Sequence, residues 1–164
     1  MRSNSPPTGT GIVLVTLLFA AILEVISLPA SAELYRPHWL LMTLLYWIVA
    51  IPHRIGVFWG LACGLFLDVL LGTPLGQWGL AFAFAAFVSL LAHKRLRVFV
   101  TIQQSAVIFL FVGCAGLIAY LVQDAVGRTL LPPYTILSSA LVSAILWHPL
   151  TLVLRWIQYR FLIM

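Results

Sequence analysis

The chain of 164 residues is too apolar for a soluble protein: 63% of it is hydrophobic, 8% is charged, and its mean hydropathy is +1.10. Soluble domains carry about 25% charged residues, and a soluble fold of this composition would expose large apolar patches. The net charge of +5 comes from basic residues scattered between apolar runs. Without a basic stripe, this charge argues against nucleic-acid binding. The composition therefore predicts an integral membrane protein with one domain.

Six continuous apolar runs follow one another along the chain. A span needs roughly 20 apolar residues, with a lower limit of about 17. The runs do not alternate apolar and polar residues as β-barrel strands do, so the predicted fold class is all-α. The predicted spans are 12–28, 38–51, 55–71, 76–92, 99–122 and 134–154, of which the second is slightly short. They form a single six-helix domain over 11–158, between a disordered tail at 1–10 and a C-terminal tail at 159–164.

The basic residues predict which ends of the spans face the cytoplasm. With the N-terminus inside, the outer loops contain only Arg36 and Arg128. The other seven basic residues are then cytoplasmic, and this distribution of seven to two agrees with the positive-inside rule and places both termini in the cytoplasm. The seven cytoplasmic residues are Arg2, Arg54, Lys94, Arg95, Arg97, Arg155 and Arg160.

The N-terminal segment also resembles a cleavable signal peptide. Arg2, an apolar stretch and then Ala30-Ser31-Ala32 form the pattern. Glu24 interrupts the apolar stretch, which is long for a signal peptide, so we expect the first span to be retained.

Glycines recur every four residues through the third predicted span, before and after the carboxylate of Asp68, and this series is called the glycine ladder. A charge near the bilayer centre costs about 2.5–3.5 kcal/mol, so Asp68 must face the bundle interior or a wet cavity. Glycines four residues apart share one face of a helix and let another helix approach closely. One interpretation is an interface for a partner helix with Asp68 as its polar anchor. The other is that Asp68 caps the end of its own bundle; a proton relay has less support. The interface set is Gly56, Gly60, Gly64, Asp68 and Gly72.

Two other ionisable residues lie inside predicted spans. Glu24 in the first and His148 in the sixth are expected to be buried polar groups, and the two side chains could meet. Enzyme motifs and Cys/His clusters are absent, so the sequence predicts no enzyme, no cofactor and no metal site. The sequence shows few buried polar residues from which a ligand pocket could be built.

Ordered motifs in the second and third spans resemble the Gram-negative rod shape-determining protein family MreD. The sixth span is similar more loosely, through Leu146-Trp147-x-Pro149 and Arg155. The main resemblance covers about 36–76. Its motifs are Arg36-Pro37-x-Trp39, Leu44-Leu45-Tyr46-Trp47-Ile48, Pro52-His53-Arg54 and Gly64-x3-Asp68-x3-Gly72-x3-Gly76.

The resemblance implies a function that composition alone does not. Members of the family belong to the elongation machinery that builds the lateral cell wall from the bacterial inner membrane. They bind MreC, and through it associate with MreB, RodA and its transpeptidase partner. Their fold is similar to the six-helix substrate-binding subunits of energy-coupling-factor transporters. The resemblance therefore implies a non-catalytic scaffold, with a small-molecule-binding transporter subunit as the alternative.

Overall fold

The computed structural model describes residues 8–27, 29, 35–99, 101–128 and 132–160. Over these residues the chain forms six α-helices and no β-strand, which confirms the all-α fold class. The helices are α1 (Thr8–Val25), α2 (Trp39–Ala50), α3 (Val57–Leu71), α4 (Gln77–Val98), α5 (Thr101–Ala125) and α6 (Tyr134–Arg160).

The helices differ in length. Three of them, α4, α5 and α6, contain apolar stretches long enough to cross a membrane. The other three are apolar but shorter, and α2 has only 12 residues. At 1.5 Å per residue α2 is about 18 Å long, which is less than the ~30 Å thickness of a hydrocarbon core.

Several helix ends differ from the predicted span ends. Helix α1 begins at Thr8, inside the predicted tail, and α6 continues to Arg160. Helix α4 continues to Val98, so Lys94, Arg95 and the backbone of Arg97 lie in its last turns and not in a loop as predicted. No Gly or Pro interrupts the chain there, and Lys, Arg and Leu are good helix formers. Residues 1–7, 30–32 and 161–164, which include parts of both predicted tails and the signal-like Ala-Ser-Ala, lie outside the described residues.

Helix α2 forms the centre of the bundle. Every residue from Leu40 to Ile48 is buried, and the helix packs against α1, α4 and α6. A helix that is apolar on all sides is stable in this position because each face has an apolar neighbour. Its shortness is compatible with this position, since other helices surround it.

The outer surface of the bundle is apolar. Large side chains such as Val15, Phe58, Leu91 and Ile102 are mostly exposed, and Phe58 has 87% of its surface free. Exposed apolar surface of this extent is unfavourable in water and favourable in lipid. The surface therefore agrees with a membrane protein.

Candidate functional site

Asp68 caps the N-terminal end of α4. It lies near the end of α3, is fully buried, and its carboxylate accepts four hydrogen bonds. The hydroxyl of Thr73 donates one at 2.8 Å, and the backbone N–H groups of Gly76, Trp78 and Gly79 donate the others at 2.9, 3.0 and 3.2 Å. N–H groups at the start of a helix lack intrahelical partners and favour a negative charge. Asp68 thus stabilises the turn between two helices of its own chain.

Two glycines shape this turn. Gly72 ends α3 with φ +66°, and Gly76 precedes α4 with φ +97°. Both lie in the left-handed region, which glycine adopts without steric cost. Gly72 is therefore a helix cap and not part of a helix-packing face.

The glycine ladder allows close packing of α3 against α4. A Cβ built on Gly60 would lie 2.8 Å from the Cβ of Ala86 and from the carbonyl oxygen of Phe82. A Cβ on Gly64 would lie 2.3 Å from the carbonyl oxygen of Trp78. Backbone atoms of α4 thus occupy the space that side chains would take.

These contacts correct the prediction of a partner-helix interface. The face that carries Gly60, Gly64 and Asp68 is covered by α4 of the same chain. Gly56 precedes α3, where an added Cβ would be in ordinary contact with Leu90 at 3.8 Å. The physical reason is that a small-residue face accepts whichever helix is nearest, and here a short turn supplies that helix.

Glu24 pairs with a different histidine from the one considered in the sequence. Glu24 is only 2% exposed, and its Oε1 lies 2.8 Å from Nδ1 of His38. Its Oε2 accepts the N–H of Leu40 at 2.9 Å, an N–H at the start of α2 without an intrahelical partner. The prediction that His148 is buried is wrong, because its side chain lies on the exposed side of α6. Glu24 therefore joins the end of α1 to the start of α2.

Arg36 and Ser139 connect this end of α1 and α2 to α6. Arg36 donates from Nη2 to the carbonyl oxygen of Ile26 at 2.7 Å, and its own carbonyl accepts the hydroxyl of Ser139 at 2.6 Å. The N–H of His38 donates to Oγ of Ser143 at 3.1 Å. The segment before α2 is therefore held by side chains from both flanking helices.

These polar groups surround a cavity of about 290 Å³, called here the outer cavity. It lies where α1, α3 and α5 end and α2, α4 and α6 begin, and its lining comes from five of the helices and from the segment just before α2. Its polar lining is Glu24, Arg36, His38, Thr73, Gln77, Trp78, Tyr120, Gln123, Thr135 and Ser139, and its apolar lining is Leu71, Val112, Gly116, Ala119 and Ile136.

Sequence reasoning missed most of this cavity and underestimated the polar residues available for a pocket. His38 is simply the first residue of a predicted span, and Gln77, Tyr120 and Gln123 belong to none of the motifs in the sequence. A usable signal is present in the sequence: each of these polar residues lies near the same end of its predicted span. Among the described residues there is no cluster of three or more His, Cys, Asp or Glu side chains that could hold a metal.

The described basic side chains Arg54, Lys94 and Arg95 lie at the other end of the helices. All three are exposed, with Arg54 after α2 and the other two at the end of α4. A second cavity of about 180 Å³ lies beside Arg54, between the start of α1 and the start of α3. The two ends of the bundle therefore differ: exposed basic side chains lie at one end, and the outer cavity lies at the other.

Residues 8–157 match the family described as rod shape-determining protein MreD. The chain belongs to the MreD family. It is 30% identical to the rod shape-determining protein MreD of Haemophilus influenzae over 143 residues, which cover 87% of this chain and 88% of that protein. No solved structure matches the chain.

Membership of the MreD family confirms the resemblance noted in the sequence and extends it. The motifs covered about 36–76, whereas the family match includes all six helices up to residue 157. It assigns the chain a role in determining rod shape. Every residue that lines the outer cavity lies inside the matched segment.

Proposed function

We propose that the chain is a non-catalytic membrane scaffold of the complex that elongates rod-shaped cells, located in the inner membrane. The observation that carries this proposal is the family match along nearly the whole membrane domain. An apolar bundle whose described part has an apolar exterior is suited to holding other membrane proteins in place. Its contribution to lateral peptidoglycan synthesis is to position the enzymes and not to supply chemistry.

The proposed topology has six spans with both termini in the cytoplasm. It is supported by the exposed basic residues Arg54, Lys94 and Arg95 at one end of the bundle. In this topology the outer cavity faces the periplasmic side. The short helices α1, α2 and α3 are accommodated by local thinning of the bilayer, and α2 also by its enclosure within the bundle.

MreC is the proposed direct partner, with MreB, RodA and its transpeptidase partner in the same complex and lipid around the bundle. Since α4 already covers the glycine face of α3, a membrane helix of MreC would pack on the outer, apolar surface of the bundle. In lipid, such packing depends on van der Waals contact and on individual polar contacts.

The alternative is a small-molecule-binding subunit of a transporter. The outer cavity favours it, because such a subunit needs a polar ligand pocket. A transporter subunit must also bind an ATP-hydrolysing module at the cytoplasmic side.

Purification of the tagged full chain in mild detergent, after co-expression with MreC, separates the two proposals. The scaffold proposal predicts that MreC elutes with the chain through size-exclusion chromatography. A folded chain that elutes without MreC, or that carries an ATPase module instead, would contradict it.

A further inference from the structure

The outer cavity has a size and chemistry that a purely structural scaffold does not need. Its volume of about 290 Å³ lies near the lower limit of small-molecule pockets, which are about 300–1,000 Å³. An α-helix is about 10 Å wide with its side chains and cannot enter such a space. The occupant must therefore be a single small molecule or one small group of a larger molecule.

The serine and threonine hydroxyl groups of the lining have already used their protons. Thr73 donates to Asp68, Thr135 donates to the carbonyl of Pro132, and Ser139 donates to the carbonyl of Arg36. A hydroxyl has one proton and two lone pairs. These three residues therefore offer the cavity only hydrogen-bond acceptors.

Two further acceptors remain available. Gln77 is 2% exposed, and its Oε1 has no hydrogen-bond partner within the described part of the chain. Nδ1 of His38 lies 2.8 Å from the carboxylate of Glu24, and when Nδ1 carries the only ring proton and donates to Glu24, Nε2 is an acceptor. A buried acceptor without a donor is unfavourable, so Gln77 in particular favours a ligand that donates.

The charges of the lining oppose a charged ligand. The carboxylate of Glu24 already receives His38 and the N–H of Leu40, and Arg36 is the one permanently charged base in the described lining. Arg36 disfavours an ammonium group. Glu24 disfavours a phosphate or carboxylate, and no second permanent cation is present among the described lining residues to offset it. Donors without charge are hydroxyl groups and amides.

We propose that the outer cavity binds an uncharged, hydroxyl-rich group of the size of one sugar ring or a glycerol. The acceptors Gln77, His38 and the three hydroxyl oxygens receive its protons, while Trp78 and Tyr120 supply aromatic walls. The group belongs either to a free polyol or sugar, or to the head group of a glycolipid. This binding goes beyond the scaffold function and does not depend on MreC.

The test uses the full chain purified in lauryldimethylamine oxide, because sugar-headed detergents would themselves occupy the site. Methyl β-glucoside and glycerol are the free probes, measured by isothermal titration calorimetry. A monoglucosyl diacylglycerol in phosphatidylcholine nanodiscs is the lipid probe, measured by native mass spectrometry. Ethanolamine and inorganic phosphate are the charged comparison probes.

Three variants locate the binding. Gln77→Leu removes the unpaired acceptor at similar side-chain volume and should weaken binding at least about tenfold, the equivalent of one hydrogen bond. Ala119→Leu fills the cavity from α5 and should abolish binding. Gln103→Leu makes the same chemical change at an exposed position near the start of α5 and should bind like the wild type. Thermal unfolding of each variant verifies that it is folded.

Binding of a hydroxyl-rich probe that Gln77→Leu and Ala119→Leu weaken and Gln103→Leu preserves supports the proposal. Free probes and the glucolipid then distinguish a soluble source from a lipid source. Absence of binding by all three hydroxyl-rich probes, a preference for ethanolamine or phosphate, or equal binding by the folded Gln77→Leu variant overturns it.

Discussion

Asp68 is the residue whose role changes most between the sequence and the structure. Acidic residues are scarce in this apolar chain, which marks Asp68 as important. The sequence leaves open whether Asp68 serves a partner or its own bundle. Four donors from the turn after α3 and the start of α4 answer that question. A linear pattern cannot show this, because three of the four donors are backbone N–H groups, which almost any residue type could supply.

Replacement of Asp68 by Asn should destabilise the fold. One carboxylate oxygen becomes an NH2 group that faces N–H donors, and the lost bonds are buried, so we expect a loss of about 2–4 kcal/mol. Thr73→Ala removes only one of the four donors and should cost about 1 kcal/mol. Thermal unfolding in detergent measures both changes. Loss of MreC binding by Asp68→Asn at unchanged stability would instead favour the partner-interface interpretation.

Glu24 and His38 should be energetically coupled. Their direct contact at 2.8 Å predicts an interaction energy of about 0.5–3 kcal/mol in a double-mutant cycle of Glu24→Gln and His38→Phe. The matched cycle with His148→Phe should give no coupling, because that side chain is exposed on α6. Coupling of Glu24 to His148 and not to His38 would show that the pairing described here is wrong.

At the scale of elements, the number and order of helices could be predicted from the sequence, because long apolar runs between Pro, Gly and charged residues are a strong signal. Helix ends were less predictable. Helix α4 continues through Lys94 and Arg95 because these residues favour helix even though they are polar. The packing partner of the α3 glycine face was also beyond a single sequence, since it depends on how the chain turns at Gly72 and Gly76.

The α3–α4 contact gives a sharp test with a matched control. Gly64→Ala would put a Cβ 2.3 Å from the carbonyl oxygen of Trp78, so the helices must separate and stability should fall by about 1–3 kcal/mol. Gly113→Ala, in the middle of α5, would place its Cβ 4.0 Å from that of Ala140. This control should be neutral or stabilising by up to about 1 kcal/mol, because Ala favours helix over Gly. Equal unfolding midpoints for the two variants would contradict the packing.

At the scale of the whole molecule, the polarity of the two bundle ends could be predicted from the basic residues, but the outer cavity could not. Its lining comes from five helices and the segment before α2, and from residues as distant in sequence as Glu24 and Ser139. Each polar residue taken alone resembles an ordinary span-end residue. Only the fold shows that they share one space.

The proposed topology predicts the location of each loop. Reporter fusions after Pro52 and after Val98 should be cytoplasmic, and a fusion after Gly72 should be periplasmic. Alkaline phosphatase is active outside and green fluorescent protein is fluorescent inside, so paired fusions check each position. A periplasmic fusion after Val98 would contradict the six-span arrangement with both termini inside.

A membrane bundle that acts as a scaffold in rod-shape determination must support the growth of rod-shaped cells. The most direct measurement is the length-to-width ratio of Gram-negative rod cells depleted of their own MreD and expressing this chain together with its own MreC. We expect the wild type and Gly113→Ala to restore rods, and Gly64→Ala to restore them only to the extent that it remains folded. Cells that stay round although the wild-type chain is present and folded in the membrane would contradict the scaffold proposal.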